Sequence, residues 1–210
     1  MSASCIELRK RFGEDGWVLL QSYRPEVQVA VSRDVERAHL GNAPTLRVVA
    51  GSYSDRLAEM WVELQLNDLS EFAGCRGKLS PAQVAELARI IIQTYGHLRL
   101  TELMLFFQRF KRCEYGHFYG TVDPMVIMGA LREFAGQRVA VLDTVRQRRE
   151  REEKRREEAA YAEVQNEYRR RVPGAYTPEA ALTFMEYRRG GYRNMTDEQL
   201  AEAIAEKLAK

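Results

Sequence analysis

The strongest restriction on the fold comes from the stretch between Arg146 and Glu158, which contains no apolar residue. Its side chains are all Arg, Gln, Glu or Lys, so the stretch has nothing to bury in a core. Opposite charges nevertheless recur four positions apart, at Arg148–Glu152, Arg149–Glu153, Glu150–Lys154 and Glu152–Arg156. Each such pair adds about 0.2–0.5 kcal/mol to an exposed helix. The stretch therefore predicts one long solvated helix over about 138–171, and its charged a and d positions argue against a coiled coil.

Apolar residues at three- and four-residue spacing predict further helices on the N-terminal side of this stretch. Ser54 and Thr101 are candidate N-caps, Ser80 starts a capping box with Gln83, and Gly96 is a candidate left-handed C-cap. The predicted helices cover 55–72, 81–95, 102–112 and a segment from Asp123-Pro124 to about Gly136. The expected buried stripes include Leu57, Met60, Trp61 and Leu64 in the first helix, and Leu103, Phe106, Phe107 and Phe110 in the third. Three phenylalanines on one face are typical of a core rather than of a cofactor site.

The first fifty residues show a different pattern. Trp17–Leu20 and Val27–Val31 are rich in Val and aromatic residues, which favours two short strands joined by a turn at Arg24-Pro25. Ser32 is a candidate cap for a short helix that reaches about His39.

Together these patterns predict a mainly α fold: a compact helical bundle with a small α/β or irregular N-terminal segment, a long charged helix and a helical C-terminal tail. The predicted division assigns 1–53 to the N-terminal segment, 54–137 to the helical core domain, 138–172 to the charged helix and 173–210 to an amphipathic helical tail.

The composition excludes several classes of protein. A formal net charge of +2 argues against a uniformly polybasic nucleic-acid-binding protein, although a local basic patch remains compatible with it. No apolar stretch approaches the roughly 20 residues of a membrane span, and the first residues do not resemble a signal peptide. Cys5, Cys75 and Cys113 are widely spaced and odd in number, which favours reduced thiols. We therefore expect a cytoplasmic protein that does not contact the membrane.

The sequence carries no recognisable catalytic motif. It contains no Gly-x-Ser-x-Gly, no Walker A loop, no His-Glu-x-x-His and no Gly-x-Gly-x-x-Gly. Its histidines, His39, His97 and His117, are scattered along the chain. We therefore expect a non-enzymatic protein with no catalytic residues, no cofactor, no metal and no small-molecule substrate.

Basic and aromatic residues alternate at the end of the third predicted helix and in the segment after it. The candidate nucleic-acid-binding residues are Arg109, Lys111, Arg112, Tyr115, His117 and Tyr119. Cations neutralise phosphates, and aromatic rings stack on unpaired bases at about 1–3 kcal/mol per base. An alternative explanation is that Phe118 and Tyr119 complete the core while the basic side chains cover the surface with their aliphatic stems.

The predicted tail is amphipathic, so its apolar face must lie on the long helix, on the core or on a partner. Pro173-Gly174 is expected to end the long helix, and Gly190-Gly191 to separate two short helices that follow it. These begin at Thr177-Pro178 and at a capping box of Thr196 and Gln199. The candidate partner-binding residues are Leu182, Met185, Leu200 and Ile204.

Several short motifs in the middle of the chain resemble a known family. They are Trp61 with Gln65 to Phe72, Lys78 with Gln83, Glu102 to Lys111, Tyr115-Gly-His-Phe-Tyr-Gly120 and Val122-Asp-Pro124. Over roughly 44–140 the chain resembles a family of uncharacterised proteins of bacterial mobile elements and phages. The resemblance implies work near DNA, in replication, transfer or partitioning, and it assigns no functional residues. A looser similarity, at the level of architecture, is to phage helicase loaders and inhibitors.

Two hypotheses follow. The first is a non-enzymatic accessory protein of mobile-element DNA replication or transfer, whose partners are single-stranded DNA, a replicative helicase or another replication protein. The second is a protein–protein adaptor that docks through its C-terminal tail and binds no nucleic acid.

Overall fold

A computed structural model describes residues 3–171, 177–189 and 196–208. These residues form helices and connecting loops and contain no β-strand, which confirms the mainly α prediction. Two isolated bridges, Thr45 with Arg99 and Gly77 with Thr121, are the β-type pairings among them. The chain divides into two compact units, residues 1–143 and residues 144–210. Within the described ranges, no helix is both long and apolar enough to cross a membrane.

The helices of the first unit follow one another closely along the chain. They are α1 (Ala3–Phe12), α2 (Trp17–Ser22), α3 (Gln28–Ser32), α4 (Val35–Leu40), α5 (Leu46–Ser52), α6 (Asp55–Phe72), α7 (Pro81–Tyr95) and α8 (Leu100–Lys111). A short 3-10 helix, Pro25–Val27, lies between α2 and α3. The helix α9 (Pro124–Arg171) begins in the first unit and ends in the second, which also holds α10 (Pro178–Arg189) and α11 (Asp197–Leu208).

The strands predicted at Trp17–Leu20 and Val27–Val31 are wrong, because both segments are helical. A short apolar run does not distinguish a strand from a buried helical turn by its periodicity. Leu19 and Leu20 are adjacent and both buried, whereas successive strand residues point to opposite faces. The hydrogen bonding of this segment is also helical, because the Leu20 N–H donates to the Gly16 carbonyl at 3.1 Å. The helix predicted from Ser32 begins at Val35, and the carboxylate of Asp34 caps it instead.

The predicted helix bounds are confirmed for α6 and α7, including the reciprocal capping box of Ser80 and Gln83. Two details differ. The helix α8 begins at Leu100 rather than after Thr101, because the Glu102 carboxylate reaches back to the Arg99 N–H at 2.8 Å. Gly96 has a φ of −57°, so the expectation of a left-handed C-cap is wrong.

The buried face of α6 is shifted from the predicted stripe. Trp61 is fully buried as expected, but Met60 and Leu64 are 39% and 44% exposed. The buried neighbours of Trp61 include the polar Gln65, whose amide donates to the Tyr23 carbonyl at 3.1 Å. The Trp61 indole N–H donates to the same carbonyl at 2.8 Å. A polar residue thus lies on the buried face because it has a partner there, which hydrophobic periodicity does not show.

The aromatic stripe of α8 forms the centre of the first core, as the spacing predicts. Phe106 and Phe107 are completely buried, with ring centroids 5.1 Å apart. The Phe106 ring also lies 5.7 Å from that of Phe134 on α9. Burying one such side chain contributes about 1.5–3 kcal/mol. The core therefore holds α8 against the first turns of α9, and the segment between them is fixed at both ends.

The helix predicted to end near Gly136 continues without a break into the charged helix, and both belong to α9. An isolated glycine inside a helix costs about 1 kcal/mol relative to alanine, which does not end a helix that is anchored on both sides of it. Phe134 is buried just before Gly136, and Arg138 forms an ion pair just after it. Farther along, the predicted pair of Arg148 and Glu152 is present at 3.8 Å.

The second unit has a small core of its own. It consists of Val164 and Tyr168 of α9, Ala180 and Phe184 of α10, and Leu200 and Ile204 of α11. The predicted capping box is confirmed, because the Thr196 N–H donates to the Gln199 side chain at 3.0 Å and the reverse bond is also present. The apolar face of the tail therefore lies on the long helix, since α10 and α11 pack against the end of α9. The predicted breaks at Pro173-Gly174 and Gly190-Gly191 lie outside the described residues.

Candidate nucleic-acid interface

The predicted basic and aromatic residues lie at the end of α8 and in the loop 112–123 that joins α8 to α9. This loop is held to the loop 73–80 between α6 and α7. The Gly77 N–H donates to the Gly120 carbonyl at 3.2 Å, and the Val122 N–H donates to the Gly77 carbonyl at 2.8 Å. Gly116 and Gly120 have φ values of 92° and 77°, in the left-handed region that favours glycine.

Two aromatic residues of the loop face the core. The Tyr115 ring lies 5.7 Å from that of Phe106, and its hydroxyl donates to the Gln137 side chain at 3.3 Å. Burial raises the pKa of Tyr115, although the neighbouring Arg109 opposes that rise. The Phe118 ring stacks on Phe110 at 5.1 Å. Tyr115 is therefore a packing residue, and the alternative explanation holds for Phe118.

Two of the predicted basic residues are engaged inside the molecule. Lys111 forms an ion pair with Asp68, its side chain is 11% exposed, and its ammonium lies 5.4 Å from the centre of the Phe72 ring. The Arg109 side chain is 19% exposed and lies 3.6 Å from the Glu114 carboxylate. Both side chains are mostly covered and paired, so neither cation is available for a phosphate without breaking its present contacts.

The other three predicted residues are exposed. Tyr119 is 82% exposed, and its ring centre lies 4.4 Å from that of the exposed His117. The Arg112 side chain is 62% exposed and lies 3.5 Å from Glu114. An ion pair this exposed is worth about 0–1 kcal/mol, so a phosphate can compete for Arg112.

Sequence analysis missed two residues on the same surface. Phe72, the last residue of α6, is 60% exposed and borders a cavity of about 150 Å³ together with His117. Its spacing from Trp61 predicts burial, but α6 ends at Phe72, beyond the core that Trp61 fills. Arg76 is exposed, precedes the Gly77 that bonds to the loop 112–123, and forms no ion pair within the described ranges. We call Phe72, Arg76, Arg112, His117 and Tyr119 the aromatic–basic face.

A buried ionic network fixes the two helices that hold this loop. Glu102 of α8 is fully buried and accepts hydrogen bonds from the His39 Nδ1 at 2.8 Å and the Arg138 Nε at 2.6 Å. Burial alone would raise the pKa of Glu102, but the hydrogen bonds from His39, Arg138 and the Arg99 N–H outweigh it and lower the pKa. The carboxylate therefore stays ionised and accepts a hydrogen bond from the Nδ1–H of His39. The network thus joins α4, α8 and α9.

The residues predicted to bind a partner through the tail lie in the second unit. Leu200 and Ile204 are each 2% exposed within its core, and Met185 packs against that core. Leu182 is 57% exposed. A partner can reach Leu200 and Ile204 only if α11 leaves its present position, whereas Leu182 is exposed and Met185 is partly exposed.

Among the described residues, no group of three or more His, Cys, Asp or Glu side chains is arranged to hold a metal ion. His39 and Glu102 are in contact, but the third member of their cluster is an arginine, which does not bind metals.

Residues 78–171 match the profile of a family described as Family of unknown function (DUF6633). This range contains α7, α8, the loop 112–123 and the whole of α9. No curated protein matches the chain, and no solved structure matches it. The expected resemblance to an uncharacterised family over 44–140 is therefore confirmed for 78–140, while the match leaves out 44–77 and extends through the charged helix to Arg171. The matched range includes Arg112, His117 and Tyr119 of the aromatic–basic face.

Proposed function

We propose that this protein is a non-enzymatic accessory protein that binds single-stranded DNA through its aromatic–basic face. The observation that carries the proposal is the pair of exposed rings, Tyr119 and His117, 4.4 Å apart on a loop that the core fixes at both ends. The Tyr119 ring is 82% exposed and so buries little surface in the fold, whereas an unpaired base stacks on such a ring at about 1–3 kcal/mol. A fixed loop loses little entropy when a strand binds.

The chemistry of the face favours a single strand over a duplex. Phe72, His117 and Tyr119 offer ring faces, which paired and stacked bases cannot reach. Arg76 and Arg112 provide cations for the phosphates that flank the stacked bases. Two exposed arginines are few for a protein that holds duplex backbone, which agrees with the net charge of +2.

The biological setting of the proposal is replication or transfer of mobile-element DNA. It rests on the sequence resemblance to proteins of mobile elements and phages. A replicative helicase is the second proposed partner, because an accessory protein that holds a single strand can deliver it to a helicase. No described residue is assigned a catalytic role.

The proposal is tested by fluorescence anisotropy of a labelled thymidine oligonucleotide of about 15 nucleotides, a length that covers one single-strand site. Tyr119→Ala should weaken binding by about 5- to 150-fold, which corresponds to one stacked base. Trp17→Ala is the matched control, because Trp17 is a 60% exposed ring of the first unit outside the face. It should bind like the wild type.

The cations are tested in the same assay. Arg112→Ala should weaken binding, and Arg89→Ala, which removes an exposed arginine of α7 paired with Glu86, should not. The proposal is wrong if Tyr119→Ala and Arg112→Ala both bind like the wild type. It is also wrong if a duplex of the same length binds as tightly as the single strand.

A further inference from the structure

A second site is suggested by a polar cavity of about 470 Å³ in the first unit. Residues from the end of α1, the turn after α2, the helices α3 and α4 and the start of α8 line it. Its polar side chains are those of Arg11, Tyr23, Asp34, Arg37, Asn42 and Thr101. Alanine and valine side chains, Ala30, Val31, Ala38 and Ala43, form the apolar wall. A cavity of this volume is large enough for a small molecule.

The Tyr23 side chain places a hydrogen-bond donor at the cavity. The residue is 9% exposed and lines the cavity, yet its hydroxyl forms no hydrogen bond with any described residue. Burial raises the pKa of this phenol and the nearby Arg11 opposes that rise, so the hydroxyl keeps its proton. The position of Tyr23 is fixed, because its carbonyl accepts from Trp61 and Gln65. The hydroxyl is therefore a donor held in place at the cavity, with no acceptor among the described residues.

The charge around the cavity is positive. The guanidinium of Arg37 has no ion pair or hydrogen bond within the part of the chain that the structure describes. Arg11 donates to the Asn42 carbonyl at 3.3 Å and lies over the Phe12 ring, without a carboxylate partner among the described residues. The one carboxylate, Asp34, accepts the N–H of Arg37 as the N-cap of α4. Two cations therefore face one anion, which leaves a net charge of +1 to be matched.

We infer that this cavity binds a small organic anion with a flat or apolar body. Its carboxylate or phosphate group lies between Arg11 and Arg37 and accepts a hydrogen bond from the Tyr23 hydroxyl. Its body lies against Val31 and the alanines of the wall. Arginine suits this role because its planar fork matches both kinds of oxyanion. The cavity shares no residue with the aromatic–basic face, so this inference does not depend on the proposed function.

The test is a titration of the full chain with four probes, followed by amide NMR at Asn42 and Thr101. Phenyl phosphate and benzoate carry the two head groups on one flat body, benzyl alcohol is the neutral control, and inorganic phosphate lacks the body. We expect saturable binding of phenyl phosphate or benzoate at the amides of Asn42 and Thr101. The probe that binds more tightly identifies the head group, and benzyl alcohol and inorganic phosphate should bind at least about tenfold more weakly.

Three variants locate the site. Arg37→Gln should weaken binding of the preferred anion by about tenfold or more, because it removes a charge-assisted contact. Tyr23→Phe should weaken it about two- to tenfold and still fold, since the ring keeps its packing 5.9 Å from Phe12. Arg33→Gln changes an exposed arginine that does not line the cavity and should bind like the wild type. The inference is overturned if neither anion binds, or if Arg37→Gln and Tyr23→Phe both bind like the wild type.

Discussion

Replacing Glu102 by glutamine should destabilise the first unit more than any surface substitution. The carboxylate is fully buried and accepts three hydrogen bonds, at 2.8 Å from His39, 2.6 Å from Arg138 and 2.8 Å from the Arg99 N–H. A glutamine offers one acceptor oxygen, so its NH₂ group must face at least one of these donors. One buried donor left without a partner costs about 1–3 kcal/mol.

The lost charge adds to this cost. The Arg138 side chain is 21% exposed, and it loses its carboxylate partner in the variant. Removing one member of a buried ion pair costs about 3–5 kcal/mol in total, which is the range we predict for Glu102→Gln at neutral pH. That value is a large part of the 5–15 kcal/mol typical of a native domain.

The assay is urea unfolding followed by tryptophan fluorescence. Trp61 is completely buried in the first unit, so its emission reports the loss of that core. Glu86→Gln is the control, because Glu86 lies in an exposed pair with Arg89 on α7 and its substitution should change stability by less than about 0.5 kcal/mol. A Glu102→Gln variant within about 1 kcal/mol of the wild type at pH 7 would refute the reasoning.

The pH dependence of this difference has a definite sign. The pKa of Glu102 is lowered in the folded protein, so its contribution to stability is complete above the unfolded value of about 4.3. That contribution is lost as the pH falls through the lower folded pKa. The gap between the wild type and Glu102→Gln should therefore be constant above about pH 5 and should narrow below pH 4.3. A gap that widens on acidification contradicts the assignment.

Three further substitutions test other parts of the structure. Gly16→Ala should lower the free energy of unfolding in urea more than Gly120→Ala does. Both glycines have positive φ, but only at Gly16 would the new Cβ meet a side chain, that of Leu57 at 2.8 Å. Equal effects of the two substitutions would contradict this. Phe184→Ala should lower the stability of the second unit by about 3–5 kcal/mol, measured by hydrogen exchange of the α10 and α11 amides, and unchanged protection would contradict its place in that core. Lys111→Ala should lower the urea midpoint and leave the affinity for single-stranded DNA within about twofold, because its ammonium is already paired; a tenfold weaker affinity would place Lys111 in the interface.

Helices with local signals could be predicted from the sequence. Each capping box, at Ser80 and at Thr196, predicts where a helix begins, because both partners of such a box lie within one turn. The aromatic stripe of α8 predicted its buried face for the same local reason. The prediction for Trp17–Leu20 is wrong because a single apolar turn carries no periodicity, and Leu19 and Leu20 are buried in a core formed by residues from much of the first unit.

Only part of the candidate site could be predicted, because some of its contacts join residues that lie far apart in the sequence. Spacing placed Lys111 and Tyr115 on the candidate surface, but the partner that draws Lys111 inward, Asp68, lies more than forty positions earlier in the chain. Arg76 was missed because the loop 73–80 reaches the loop 112–123 only through tertiary hydrogen bonds at Gly77. Long-range pairing therefore covers Lys111 and brings Arg76 to the site, and no local pattern contains that information.

The most direct test of the central proposal is the salt dependence of single-stranded DNA binding by the wild type and by a double variant, Arg76→Gln with Arg112→Gln. Two phosphate contacts predict that log K falls with log salt with a slope of about −1.4. The double variant should show a slope near zero and a residual affinity from stacking on Tyr119. Equal slopes in the two proteins, or no binding by the wild type at low salt, would contradict the account.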